Sequence, residues 1–143
     1  MKVTVLQSGS SGNGYIIHNE NEALILECGV RFKEVQKALD FDVSKIKGVV
    51  LSHCHGDHSK YINEYLDKAI NVWTSAGTIH ALDLKSKFLP LMCESMNKFS
   101  VGGFTILPFS VIHDAPEPLG FLIKHNECGR VLFLTDSFYS EFV

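Results

Sequence analysis

The stretch that decides the fold is Val49-Val50-Leu51-Ser52-His53-Cys54-His55-Gly56-Asp57-His58. It opens as a short apolar run without alternation. That predicts a strand over 48–51 buried on both faces, as in the middle of an α/β sheet. The run stops at three histidines and one aspartate within six positions. Histidine makes up 7 of the 143 residues, so such clustering is hard to reach by chance. Side chains two apart on an extended segment point to the same side, so His53 and His55 can grip one ion. Asp57 and His58 follow in a loop turned by Gly56 and can reach that ion or a second. Imidazole with carboxylate suits zinc, and also manganese or iron. Ligands at the end of a buried strand have rigid support behind them and solvent in front, which leaves a coordination position for water.

Two more strand ends carry residues of the same kind. His113 follows the apolar stretch 104–112 and precedes Ala115-Pro116-Glu117-Pro118. Asp136 follows Val131-Leu132-Phe133-Leu134-Thr135. Alone, a loop histidine beside an aspartate is usually just solvated, and an aspartate there is more often a helix N-cap. Three strand ends, each finished by ligand-type residues, form the stronger pattern.

The rest of the chain supplies a scaffold. Residues 2–7, 15–18 and 23–28 read as strands of an antiparallel meander, with a Ser/Gly loop over 8–14 and a turn over 19–22. The 8–14 loop suits either a phosphate cradle or a simple turn. Residues 31–40 carry Phe32, Val35, Ala38 and Leu39 at helical spacing. Residues 59–69 read as a helix with Tyr61, Ile62, Tyr65 and Leu66 inward. A strand over 70–73 and a helix over 75–84, capped by Ser75, come next. Pro90 argues against a continuous helix over 85–97. Hairpins are expected at 98–101/104–109, around Gly102-Gly103, and at 119–124/130–134, around 126–129. This order suits a mixed sheet with helices on one face. By strand alternation Cys54 points away from the ligands as a buried thiol. His18, His80 and His125 are expected at the surface, and Lys60, Lys68, Lys85 and Lys87 on a solvated face.

Composition bounds the function. One domain is expected over 1–143, with 45% hydrophobic and 20% charged residues. A net charge of −3 gives no global attraction to nucleic acid or anionic membrane, so any nucleic-acid contact would be local. The four cysteines are scattered and form no CxxC pair, which predicts reduced thiols in a cytoplasmic protein. No apolar run approaches membrane-spanning length.

The motif His53-x-His55-x-Asp57-His58 resembles the signature of the metallo-β-lactamase-fold metallohydrolases, and His113 and Asp136 match that superfamily's third and fourth motifs. Ser8-Gly9-Ser10-Ser11-Gly12-Asn13, His113-Asp114-Ala115-x-x-Pro118-x-Gly120-Phe121 and Thr135-Asp136 look like its exonuclease-like bacterial and phage branch. The resemblance implies an α/β fold, an αββα sandwich of two similar halves. This chain would then be its first half plus the hairpins leading to Asp136, incomplete at the C-terminus. It also implies two divalent metal ions, zinc foremost. His53, His55 and His113 would hold the first, Asp57 and His58 the second, and Asp136 would bridge them. Asp57 would also orient the nucleophile, a metal-activated water. The implied function is a metal-dependent phosphodiesterase or nuclease acting on nucleic acid or another phosphodiester. The alternatives are a truncated metal-binding module with little or no turnover and a thioesterase-type hydrolase. The superfamily's usual Asp-x-Gly buttress reads Glu27-Cys28-Gly29 here. Its final histidine ligand has no counterpart after Asp136. A truncated sheet would also leave apolar surface that the absent half covers, so we expect either self-association or a longer reading frame.

Overall fold

A computed structural model describes residues 1–137. Strands β1 (Lys2–Gln7), β2 (Gly14–His18) and β3 (Ala23–Leu26) form the expected antiparallel meander. Helix α1 (Phe32–Ala38) then carries the chain to β4 (Ile46–Val50), parallel to β3. Two short helices, α2 (Gly56–Ser59) and α3 (Ile62–Asp67), lead to β5 (Val72–Thr74), and α4 (Ala76–Ala81) precedes the two-residue β6 (Leu91–Met92). The six strands pair in the order β1-β2-β3-β4-β5-β6. The two expected hairpins build a separate antiparallel sheet and do not extend the first. It consists of β7 (Phe99–Val101), β8 (Phe104–Ser110), β9 (Leu119–His125) and β10 (Gly129–Phe133), ordered β10-β9-β8-β7.

Two cores hold these layers together. On one face of the first sheet, Ile16, Ile25, Val49 and Leu51 meet Phe32 and Val35 of α1 and Ile62, Tyr65 and Leu66 of α3. On the other, Ile17, Leu24, Leu26 and Val50 meet Phe104, Ile106, Leu119, Phe121 and Ile123 of the second sheet. Strands β3 and β4 are therefore apolar on both faces, which is why Val49-Val50-Leu51 shows no alternation. Tyr65 is fully buried, and its hydroxyl donates to Val30 O at 2.8 Å. Its ring stands edge-on to Phe32 at 5.3 Å, a contact that contributes about 1 kcal/mol beyond area burial. Tyr15 of β2 meets Phe133 of β10, and Trp73 of β5 meets Phe99 of β7, which fixes how the sheets overlie one another. The outward face of the second sheet carries Leu107, Leu122 and Leu132 in cross-strand register.

Several local expectations are corrected, each by a tertiary bond. The helix expected over 59–69 starts earlier and breaks at Lys60–Tyr61. Continuing it would need Tyr61 N and Ile62 N to bond Asp57 O and His58 O. Those carbonyls are already taken, Asp57 O by Asn13 N at 2.8 Å and His58 O by Cys28 N at 2.7 Å, while Tyr61 N donates to Cys28 O at 3.1 Å. The end of β3 is thus threaded into the helix as its substitute partner. Asp57 and His58 accordingly sit in the turn of α2 and not in a loop. His18 and His125 are buried, contrary to the surface reading, because each has a distant partner: Thr4 Oγ1 at 2.8 Å and Glu22 Oε2 at 2.8 Å, respectively. His80 is exposed as expected, and Cys54 is only half-buried.

Three segments cross at Gly29. A Cβ there would lie 1.9 Å from Asp57 O and 2.5 Å from Asn13 N, both backbone atoms that cannot move independently. Gly29→Ala should therefore destabilise the chain by about 3 kcal/mol. Urea unfolding would measure this, and a loss under about 0.5 kcal/mol would refute the crossing as described.

Candidate metal centre

The parallel β3 and β4 end side by side, and everything in the centre follows from what comes off those ends. Glu27, the first residue past β3, has a left-handed backbone (φ 72°), is wholly buried and bonds through its backbone N to Val50 O at 2.9 Å. Its carboxylate accepts from Ser52 N at 2.8 Å, from Ser52 Oγ at 2.9 Å and from His58 Nδ1. With its proton committed to Glu27, the Ser52 hydroxyl is an acceptor for His53 Nδ1–H at 2.8 Å. One carboxylate therefore assigns the tautomers of two imidazoles, directly for His58 and through Ser52 for His53. Both are left presenting Nε2.

The structure brings all six expected residues together. His53, His55 and His113 form a triangle with ring centroids 4.7 to 4.9 Å apart, and a ligating nitrogen from each falls within 4.8 Å of the others. His55 Nδ1 and His113 Nε2 lie 3.1 Å apart, within hydrogen-bond distance. Asp57, His58 and Asp136 form a second cluster of the same compactness. His58 Nε2 is 2.8 Å from Asp136 Oδ2 and 3.2 Å from Asp57 Oδ2. Asp136 Oδ2 also lies 3.6 Å from His53 Nε2, so this one oxygen stands between the two clusters. Asp136 itself has a left-handed backbone, with φ 42°.

A divalent cation fits this donor set. His53 Nε2 is buried and has no hydrogen-bond partner, a costly state for a polar nitrogen unless it ligates something. The pKa values point the same way. Burial, then the charge of His58 4.2 Å away, holds His53 down at about 3, so its Nε2 lone pair is available. Burial acts to lower His58 too. It is outweighed by the hydrogen bond and charge of Glu27, then by Asp57 and Asp136, which together raise His58 to about 9. A proton on His58 Nε2 thus occupies the place a cation would take between the two aspartates, and cation binding would release it.

Sequence reasoning flagged Glu27 only as a departure, quoted Asn13 only within the Ser8-to-Asn13 motif, and gave Ser52 no role. Asn13 is buried, and its Nδ2 bonds Gly9 O at 3.0 Å and Asp57 Oδ2 at 3.3 Å, tying the 8–14 loop to the ligand turn. The loop forms one wall of an open cavity of about 520 Å³, with Ser8, Ser10 and Tyr15 facing Asp57 and Asp136. A signal was present for Ser52, which directly precedes His53. Asn13 closes the Ser8-to-Asn13 motif, but nothing in the sequence signalled its partner 44 positions away.

Residues 25–141 match the family described as the beta-lactamase superfamily domain, and the chain belongs to it. Among curated proteins it is similar to the exodeoxyribonuclease YycJ of Bacillus anthracis, 27% identical over 95% of this chain and 54% of that protein. The exodeoxyribonuclease WalJ of Streptococcus pneumoniae is 25% identical over 96% of this chain and 55% of its own length. The chain spans about half the length of the curated relatives it matches. Among solved structures, the metallo-β-lactamase fold protein YhfI of Bacillus subtilis superposes with a TM-score of 0.74 at 20% identity, covering 98% of this chain and 64% of that one. The short form of human tRNase Z gives 0.71 at 17% identity, with 98% and 70% covered. These structures establish the fold, as the resemblance implied. Among the described residues, no helix is long and apolar enough to cross a membrane.

The two shifted imidazoles set a pH signature for the metal-free chain. Below the ordinary histidine value of 6.5, the unfolded chain takes a proton at His53 that the folded chain refuses down to about 3. Stability from this group therefore rises with pH across that window. From 6.5 to about 9 the folded chain keeps a proton on His58 that the unfolded chain has lost, so stability falls. In chelator, Tm should peak near neutral pH, and His58→Gln should remove the alkaline decline. An equally steep decline in the variant would sink this account.

Proposed function

We propose that the chain carries the ion-binding core of a phosphodiesterase or nuclease centre. His53 Nε2, His55 and His113 would hold one divalent ion, and Asp57 and His58 a second. Asp136, through the oxygen that lies near both His53 and His58, would be shared. The convergence of these six side chains carries the reading of a binuclear metal site, and zinc suits three imidazoles best. The phosphodiester class is supported by the two exodeoxyribonuclease relatives, which align along almost the whole of this chain.

When bound, two such ions acidify water and neutralise charge developing on a phosphoryl group. The chain's own contribution is positioning. Glu27 fixes which nitrogen each of His53 and His58 presents, and Asn13 holds the Asp57 carboxylate, the group that would orient a nucleophile. The cavity beyond them leaves room for a substrate group beside Asp57 and Asp136. A second reading is an ion-binding module without turnover, since the buried, unpartnered His53 Nε2 asks for an ion and not for a substrate.

Elemental analysis of the purified chain, with hydrolysis of bis(4-nitrophenyl) phosphate and of end-labelled DNA, tests both. The expected outcome is about two ions per chain and turnover that falls at least about 10³-fold in His53→Ala. Bound ions without turnover would favour the second reading, and a chain that binds no ion would defeat both.

A further inference from the structure

His113 is the one candidate ligand of the first cluster that does not come from the β4 end. It sits on the 111–118 loop, so something must hold that loop against His55. The loop is closed by Val111 N donating to Pro118 O at 3.3 Å, and its far end is tied by Leu119 N to Ser52 O at 2.9 Å. Its apex is tied elsewhere. Glu117 Oε2 accepts from Gly77 N at 2.7 Å, and Glu117 O accepts from Ser75 Oγ at 2.7 Å. Ser75 caps α4 and Gly77 is in its first turn, so the carboxylate satisfies an N–H that the helix leaves without an internal partner. The fit is close, since a Cβ on Gly77 would lie 2.7 Å from Glu117 Cβ and 3.2 Å from Pro116 C.

The backbone at Glu117 makes this contact informative. It has φ 46° and precedes Pro118, and both features disfavour that conformation for a glutamate. The chain adopts it only while the surroundings hold it there. We propose that Glu117 is the positioning residue for His113: its clamp on the first turn of α4 holds the proline-flanked loop in the arrangement that brings His113 to His53 and His55. Neither Glu117 nor Gly77 is a member of either cluster. The inference rests on the proposed role of the triangle as an ion site, and its test separates the two.

Zinc titration calorimetry and the visible spectrum of the cobalt-loaded chain would be compared for wild type, Glu117→Ala, Glu117→Gln, Gly77→Ala and His113→Ala. Glu117→Ala should weaken the tighter site about tenfold and change the cobalt spectrum towards that of His113→Ala. Glu117→Gln, which keeps an acceptor for Gly77 N, should recover most of the loss. Gly77→Ala should weaken the site from the opposite side of the contact, although alanine is the better helix former. Wild-type binding in Glu117→Ala, with an unchanged spectrum, would overturn the inference. If the wild type binds no zinc, the function reading fails instead. The inference is then judged on the His113 ring resonances of the metal-free chain by NMR. These should shift or broaden in Glu117→Ala and Gly77→Ala, and their constancy would overturn it.

Discussion

The arrangement depends on a buried carboxylate. Glu27 has no exposed surface, and an unpaired charge there would be heavily penalised. It survives because it has a backbone N–H, a hydroxyl and an imidazole as partners, all from the segment that follows β4. Satisfying Glu27 therefore requires Ser52, His53 and His58 to be where they are. The same bonds leave a lone pair on His53 Nε2 with nothing to accept. The folding requirement and the ion-binding geometry are one constraint seen from two sides. The residue that meets it is a glutamate, one methylene longer than the aspartate of the motif the sequence resembles, and the chain turns left-handed there.

A second constraint is the crossing of the 12–14, 28–29 and 57–58 backbones. Asn13 N and O, Cys28 N and O, Gly29 N, Tyr61 N and the carbonyls of Asp57 and His58 make four backbone bonds there. The helix gives up its continuity at Lys60–Tyr61 to make them. In return the ligand turn is bonded to the first sheet's loops and cannot fray as an isolated four-residue helix would. The Ser/Gly loop, which reads equally as a cradle or a turn, has this structural task in any event: through Asn13 it steers Asp57.

The sequence was legible where the physics is local. The uninterrupted apolar run at 49–51, the meander and the two glycine-turned hairpins all appear where periodicity places them. The candidate ligands were legible because residues of that type sit unusually at strand ends. What periodicity could not show was partnership across distance. His18 and His125 look like surface histidines until Thr4 and Glu22 are brought beside them. Glu117 looks like a loop charge until α4 docks on it. The separation into two sheets was equally invisible from strand pattern alone, because a hairpin has the same alternation whether it extends a sheet or packs on one. That architecture is implied by the resemblance, not by the residues.

The two clusters differ in how they are enclosed, and this ranks them. In the first, His53 is buried, its tautomer is fixed through Ser52, and the ring triangle is closed by a clamped loop. In the second, Asp57 and Asp136 face an open cavity, and Asp136 is 43% exposed at the end of a strand. The competing occupant differs as well. At the first, burial already keeps His53 unprotonated, whereas at the second a cation must displace a proton that His58 holds up to about pH 9. Prior deprotonation and enclosure both favour binding at the first cluster, while exposure and proton competition both oppose it at the second. Asp136 links these unequal halves, since its Oδ2 lies 2.8 Å from His58 Nε2 and 3.6 Å from His53 Nε2.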